Sequence, residues 1–233
     1  YIVAQYSDGV FLHSVDMSAN QKDSGQTFLT LLDRRLLDTQ TTRSYDSGTN
    51  RTRFTLPYDI QDGAEMHVVV RENSDDIIPG TPLVILEQGD DWVEVQWDYT
   101  EVPLFIGSTY EFEYGFSHQF IKRTVGTTGS QVAVDNGRLQ IRNMVVRYDK
   151  TGYFQAEVTP LYRDTSVHKM TGRILGSGNN IIGNVAIESG SYKFAILSKN
   201  DQVDVKLTNN SYLPCHFLKA EWEGMYSTVS RRV

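Results

Sequence analysis

The chain has 233 residues, 39% of them apolar and 11% aromatic, which is enough for one large or two ordinary β domains and too apolar for disorder. A formal net charge of −7 argues against tight binding to phosphate backbones, and no apolar run reaches the length of a membrane helix or fits a signal peptide. The single Cys215 excludes an internal disulfide and a Cys2His2 zinc site, and fits synthesis in a reducing compartment.

The first residue is Tyr1 rather than Met, so the expectation is a fragment, a processed chain or the ordered part of a longer one. In chain order, the first ambiguous segment is 28–37. There Phe28, Leu29, Leu31, Leu32, Leu36 and Leu37 could line a helix face, but Thr-rich flanks tip the reading toward strand. Residues 39–50 are polar and read as a connection, and 73–82 form a loop with two prolines. Strands are expected at 68–70, 84–86, 139–148 and 154–158.

Elsewhere the dominant period is two. Val93, Val95 and Trp97 alternate with polar residues, as do Tyr110, Phe112, Tyr114 and Phe116, then Tyr192, Phe194 and Ile196, then Val203, Val205 and Leu207. This is the pattern of half-buried antiparallel strands, one face on a core and one in water. Turn signals at Ser47-Gly48, Asp62-Gly63, Pro79-Gly80, Asn136-Gly137, Thr151-Gly152 and Ser189-Gly190 separate strand-like runs, with Asn136-Gly137 and Thr151-Gly152 reading as tight hairpins. The 125–130 stretch reads as a loop tip. The expected fold is all-β, with antiparallel sandwich-like or barrel-like domains, part of a β-propeller as the alternative, and little helix. Three parts are expected: 1–42 as the end of an upstream β domain, 43–102 as a small β domain, and 103–233 as a C-terminal antiparallel domain with a terminal interface arm.

Few residues suggest chemistry. His13, His67, His118, His168 and His216 are scattered without metal-ligand spacing. Cys215 and His216 are adjacent, so on a strand they point to opposite faces and cannot act as nucleophile and base; a buried structural Cys is the better reading. Asp75-Asp76 and Asp90-Asp91 lack calcium-loop spacing, and the glycines of 175–180 lack the Lys-Ser/Thr of a phosphate cradle. No G-x-S-x-G elbow is present. Glu111 and Glu113 share one face of a strand. They could divide acid and base roles in glycoside hydrolysis, though a solvated acidic face is the default. Neither a catalytic residue, a cofactor nor a metal is expected.

The last fifteen residues, K-A-E-W-E-G-M-Y-S-T-V-S-R-R-V, carry more. On a strand, Glu221 and Glu223 would point away from the Trp222 indole. The stretch reads either as an edge strand packing its own Trp, or as a tail docking on a neighbour through Trp222, Tyr226, Arg231 and Arg232, residue types that anchor interfaces.

Four segments, G-R-L-Q-I-R-N-M-V-V-R-Y-D-K-T-G-Y-F-Q-A-E-V-T-P (137–160), T-G-R-I-L-G-S (171–177), E-S-G-S-Y-K-F-A-I-L (188–197) and N-N-S-Y-L-P-C-H-F-L-K-A-E-W-E-G-M-Y (209–226), together resemble the tail tubular protein B, or tail nozzle, family of short-tailed bacteriophages. L-L-D-R-R-L (31–36) and T-R-F-T-L-P-Y (52–58) extend the resemblance upstream. It implies a structural virion protein, not an enzyme. Such proteins form a homohexameric ring at the distal end of the tail, conduct double-stranded DNA during ejection without binding it specifically, and seat the adaptor (tail tubular protein A) and tail fibres. They assemble in the host bacterial cytoplasm and meet the host envelope during infection. An acidic chain suits a lumen along which DNA must slide. The alternatives are a tail-associated glycan-binding module using exposed aromatics, or a polysaccharide hydrolase using Glu111 and Glu113.

Overall fold

A computed structural model describes residues 2–6, 9–13, 22–23, 28–74, 77–125, 129–134, 137–172 and 185–228. The chain divides into two compact units, each assembled from discontinuous pieces. Unit 1 takes residues 1–110, 173–187 and 210–214, and unit 2 takes 111–172, 188–209 and 215–233. The fold is almost all β, every strand pairing is antiparallel, and no sheet closes into a barrel among the described residues.

Unit 1 opens with the hairpin β1 (Ile2–Tyr6) and β2 (Gly9–His13). It continues with β3 (Asp33–Leu37), a single 3-10 turn (Asp38–Gln40), β4 (Thr42–Asp46), β5 (Arg51–Thr55), β6 (Met66–Val70), β7 (Pro82–Leu83), β8 (Ile85–Gln88), β9 (Trp92–Gln96) and β10 (Leu104–Ser108). Two four-stranded sheets result, β3-β10-β6-β7 and β4-β5-β9-β8. Their apolar rows meet in one core: Val68, Val70, Leu104 and Ile106 from the first sheet, Phe54, Val93 and Val95 from the second, all fully buried. Branched and aromatic side chains on alternate positions fill that space, as strand periodicity demands.

The ambiguous 28–37 segment contains no helix. Its strand covers Asp33–Leu37, and the residues before it run irregularly. The backbone donors there go to partners outside a helical ladder: Thr30 N–H to Asp23 Oδ2 (2.7 Å) and Leu31 N–H to the Tyr212 carbonyl (2.8 Å). Arg35 locks the arrangement with an ion pair to Asp23 at 2.9 Å. Ser47-Gly48 closes the β4–β5 hairpin as expected, and Pro79-Gly80 lies between the paired β6 and β7. Gly80 sits at φ +86°, where a Cβ would approach Phe28 Cζ to 2.7 Å, so this turn admits only glycine without rearrangement. Trp97 departs from its expected core place. β9 ends at Gln96, the backbone turns into positive φ (78°) at Trp97, and the indole is 61% exposed.

Unit 2 contains β11 (Phe112–Gly115), β12 (Lys122–Val125), β13 (Ser130–Ala133), β14 (Gly137–Thr151), β15 (Tyr153–Pro160), β16 (Ser166–Thr171), β17 (Glu188–Lys199), β18 (Val203–Asn209) and β19 (Phe217–Thr228). The sheets are β11-β18-β15-β16 and β17-β14-β19, with β12-β13 as a separate hairpin. A second core lies between the two large sheets. Leu139, Ile141, Met144 and Val146 of β14 and Phe194 and Ile196 of β17 pack with Phe154, Ala156 and Val158 of β15 and Val203, Val205 and Leu207 of β18. Phe154 sits at the centre, edge-on to Tyr148, Tyr192 and Phe217 at 5.1–5.8 Å between centroids.

Two turn readings fail here. Thr151-Gly152 joins strands of different sheets, so it is a crossing from one layer to the other rather than a hairpin. Thr151 is fully buried, and its hydroxyl accepts the His216 N–H at 3.0 Å while donating to the Asp149 carbonyl at 3.0 Å. Ser189-Gly190 lies inside β17, with Gly190 paired to Tyr148 and Ser189 in the irregular step between the Tyr148 and Thr151 pairings. Gly137 opens β14, which pairs with β17 and β19 and not with β13; Asn136 lies outside the described residues. The aromatic run at 110–116 is also wetter than its period suggests. β11 is an edge strand, and Tyr110 and Tyr114 remain 46% and 52% exposed, while Phe116 packs on the core.

Because Phe154 makes ring contacts to three neighbours and is fully buried, Phe154→Ala should destabilise the protein by about 3–5 kcal/mol. Chemical denaturation followed by tyrosine and tryptophan fluorescence measures it, and a loss below about 1 kcal/mol would contradict this placement of the core.

Candidate functional site: an exposed edge strand

β19 is a long strand that the core of unit 2 barely covers. Twelve residues long, it pairs among the described residues with β14 along one side only, and its other side forms the margin of the three-stranded sheet. Ten of its twelve residues are exposed, and only Phe217 and Tyr226 are partly covered. An edge strand presents a row of unpaired backbone donors and acceptors, and proteins normally shorten, bulge or charge such edges.

The register with β14 sets which way each side chain points. Trp222 lies opposite the buried Met144, Ala220 opposite Val146, Gly224 opposite Ile141 and Tyr226 opposite Leu139. These four therefore share the core-facing side. Glu221 and Glu223 lie opposite Val145 and Asn143 on the outward side, so the carboxylates point away from the indole, as the sequence alternation implies. Beyond the reach of the opposing sheet, Trp222 is 37% exposed. Tyr226 differs: its ring lies against Gly137, where a Cβ would come within 2.6 Å of it, and it packs on the core. Gly224 answers a second close approach, since a Cβ there would stand 2.7 Å from the Gln140 carbonyl oxygen. Leu218 (68% exposed) is the extra residue of a bulge between the Arg147 and Tyr148 pairings, and Met225 (56%) points outward opposite Gln140.

Of the residues singled out from sequence, Trp222 and Tyr226 thus share one face of one strand, four positions apart, whereas Arg231 and Arg232 lie outside the described residues. Leu218 and Met225 were missed. Both sit in the segment that was read as an arm, but only the register shows that they, more than Tyr226, expose apolar surface.

Charge along the outward side is paired in rungs. Lys193 contacts Glu223 at 3.3 Å, Asn143 donates to the same carboxylate at 3.4 Å, and Lys219 contacts Glu221 at 2.5 Å. The Asn143 amide first and the Lys193 ammonium second hold the Glu223 carboxyl below the usual glutamate value, and Lys219 does the same for Glu221. These groups are solvent-exposed, so the pairs orient side chains more than they stabilise the fold.

No arrangement for catalysis accompanies this strand among the described residues. Glu113 forms an ion pair with Lys206 at 2.8 Å across β11 and β18, and raises the lysine's pKa. Neither Glu111 nor Glu113 lines the shallow cavity of about 490 Å³ beside His118, Tyr162 and Asp201, or the smaller one of about 250 Å³ beside Phe120 and Tyr226. Cys215 packs on the unit 2 core, and burial pushes its thiol pKa up. Among the described residues no group of three His, Cys, Asp or Glu could hold a metal.

The bacteriophage nozzle protein family model matches residues 1–233. The chain belongs to that family. That family is one of structural phage tail proteins, not of enzymes. The chain is also similar to tail tubular protein gp12 of Escherichia phage T7, with 24% identity over 97% of this chain. The chain spans 28% of the length of that curated relative. The all-β architecture fits the family.

If Asn143 is the main influence on Glu223, Asn143→Ala should move the Glu223 carboxyl titration upward toward the ordinary glutamate value and leave Glu221 where it is. Side-chain carboxyl chemical shifts followed through an acid titration resolve the two. Equal movement of both, or of neither, would contradict the rung-by-rung pairing.

Proposed function

We propose that the protein forms part of the nozzle at the distal end of the tail tube, in a homohexameric ring that conducts double-stranded DNA out of the virion, and that β19 contributes to the contact between copies. The observation that carries the second clause is the combination on one strand of a twelve-residue unpaired edge and three exposed large apolar side chains, Leu218, Trp222 and Met225. Exposed apolar groups on a long edge are a liability for a free monomer and an asset for a subunit. Docking of the adaptor and tail fibres belongs to the same reading and follows from the family resemblance.

The register also limits how the edge can pair. Two β19 strands meeting antiparallel about Trp222 would set Glu221 against Glu223 twice on one face, and like charges directly opposite are unfavourable. A different surface of the next copy is the better partner, and a heterologous contact of that kind can close into a ring.

Cutting the chain after Ala220 would be a poor test, since it would strip β14 of most of its ladder with β19. The triple substitution Leu218→Ser, Trp222→Ala, Met225→Ser leaves the ladder in place. It should abolish rings in electron micrographs while the melting temperature falls by no more than about 5 °C. Intact rings from the triple variant would remove β19 from the interface.

A further inference from the structure

Charge is divided very unevenly between the two units. Unit 1 carries eight Lys and Arg against eighteen Asp and Glu, a net −10, whereas unit 2 carries fourteen against eleven, a net +3. The basic excess of unit 2 has a definite place. Arg138, Arg142 and Arg147 are exposed along β14, whose alternate residues Leu139, Ile141, Met144 and Val146 are buried; all three therefore project from the outward face, over roughly 30 Å of strand. Arg142 and Arg147 lie near enough to Glu223 and Glu221 to lower their pKa values, which places them on that face independently. The lysines beside them are engaged, Lys193 with Glu223 and Lys219 with Glu221. The side chains of the three arginines make no ion pair or hydrogen bond among the described residues.

Unit 1 has the complement. Backbone bonds from Leu56 N–H to the Asp91 carbonyl (2.7 Å) and from Ile60 N–H to the Asp90 carbonyl (2.6 Å) hold two loops side by side. They bring together Asp59, Asp62, Asp90 and Asp91, of which the first three are exposed, and none of these carboxylates is ion-paired or hydrogen-bonded among the described residues.

We propose that the arginine face of the β17-β14-β19 sheet docks on the paired acidic loops, 59–62 and 90–91, of a second copy of this chain. The inference deepens the ring reading above and rests on it for the existence of an assembly. A protein surface suits this face better than a nucleic acid does. Glu221 and Glu223 run along one margin of it and would oppose an evenly negative phosphate backbone, whereas discrete acidic loops can meet the arginines and avoid the glutamates. The two charge sets lie in different units, so a copy that uses its arginine face on one neighbour and its acidic loops on another makes a heterologous contact that can close into a ring.

A charge swap tests it. The variants R142E/R147E and D62K/D90K alter exposed side chains only and should keep the wild-type circular dichroism. Each alone sets like charges together and should weaken assembly by about 100-fold or more in sedimentation velocity at low salt. Mixed in equal amounts, they should reassemble, because every contact is then either native or fully swapped; one chain carrying all four substitutions should assemble by itself. If R142E/R147E assembles like the wild type, the inference falls while the edge-strand reading stands, the latter being lost only in the Leu218, Trp222, Met225 variant. If the wild type binds duplex DNA, R142E/R147E does not, and mixing restores no assembly, the face is a nucleic-acid surface and the inference is overturned. A wild-type protein that never assembles refutes both readings.

Discussion

A β-strand has two edges, and β14 satisfies both within its own chain. It hydrogen-bonds β17 on one side and β19 on the other, while its inward residues close the core of unit 2. The open edges of that sheet are therefore displaced onto its margins. On β19 the consequence is acute, since most of the strand lies beyond the reach of the opposing sheet. Apolar side chains that would be core residues one strand further in, Trp222 above all, stand at a partly dry, partly wet boundary. Placing a tryptophan, a methionine and a bulged leucine on such an edge makes sense for a subunit and little sense for a solitary domain.

The charged groups follow the same division between inside and outside. Glu221 and Glu223 are held outward by register and oriented by Lys219, Asn143 and Lys193. This arrangement discourages self-pairing of β19 across a twofold axis without blocking a different partner, a way of specifying one contact by penalising another. The net −7 of the chain conceals a strongly acidic unit and a mildly basic one. Arguments from total charge, such as a lumen that repels DNA, therefore need to be made unit by unit.

Much of the fold could be read from the sequence because period two is a local signal. The strands around Val68, Leu139, Phe154, Tyr192 and Val203 all lie where alternation puts them. The failed turn readings share one cause, which is that a turn signal does not say what its flanking strands pair with. Thr151-Gly152 looks like a hairpin, but β14 finds its partners at 188–199 and 217–228, far along the chain. Trp97 looks like the third inward residue of its strand, but the backbone leaves the extended region there. The insertion of 173–187 and 210–214 into unit 1 has no local signature at all. At the candidate site the outward direction of Glu221 and Glu223 was legible from alternation. The anchoring of Tyr226 over Gly137 and the exposure of Leu218 and Met225 were not, because they depend on two bulges and on where the opposing sheet ends.

The central claim is that the free side of β19 is covered in the assembled tail. A cryo-electron microscopy map of the assembled tail, at a resolution that traces backbone, tests it most directly. The account predicts another chain copy lying against the free edge of β19, with Trp222 and Leu218 enclosed. A β19 edge facing bulk solvent, in a ring joined through other surfaces, would contradict it.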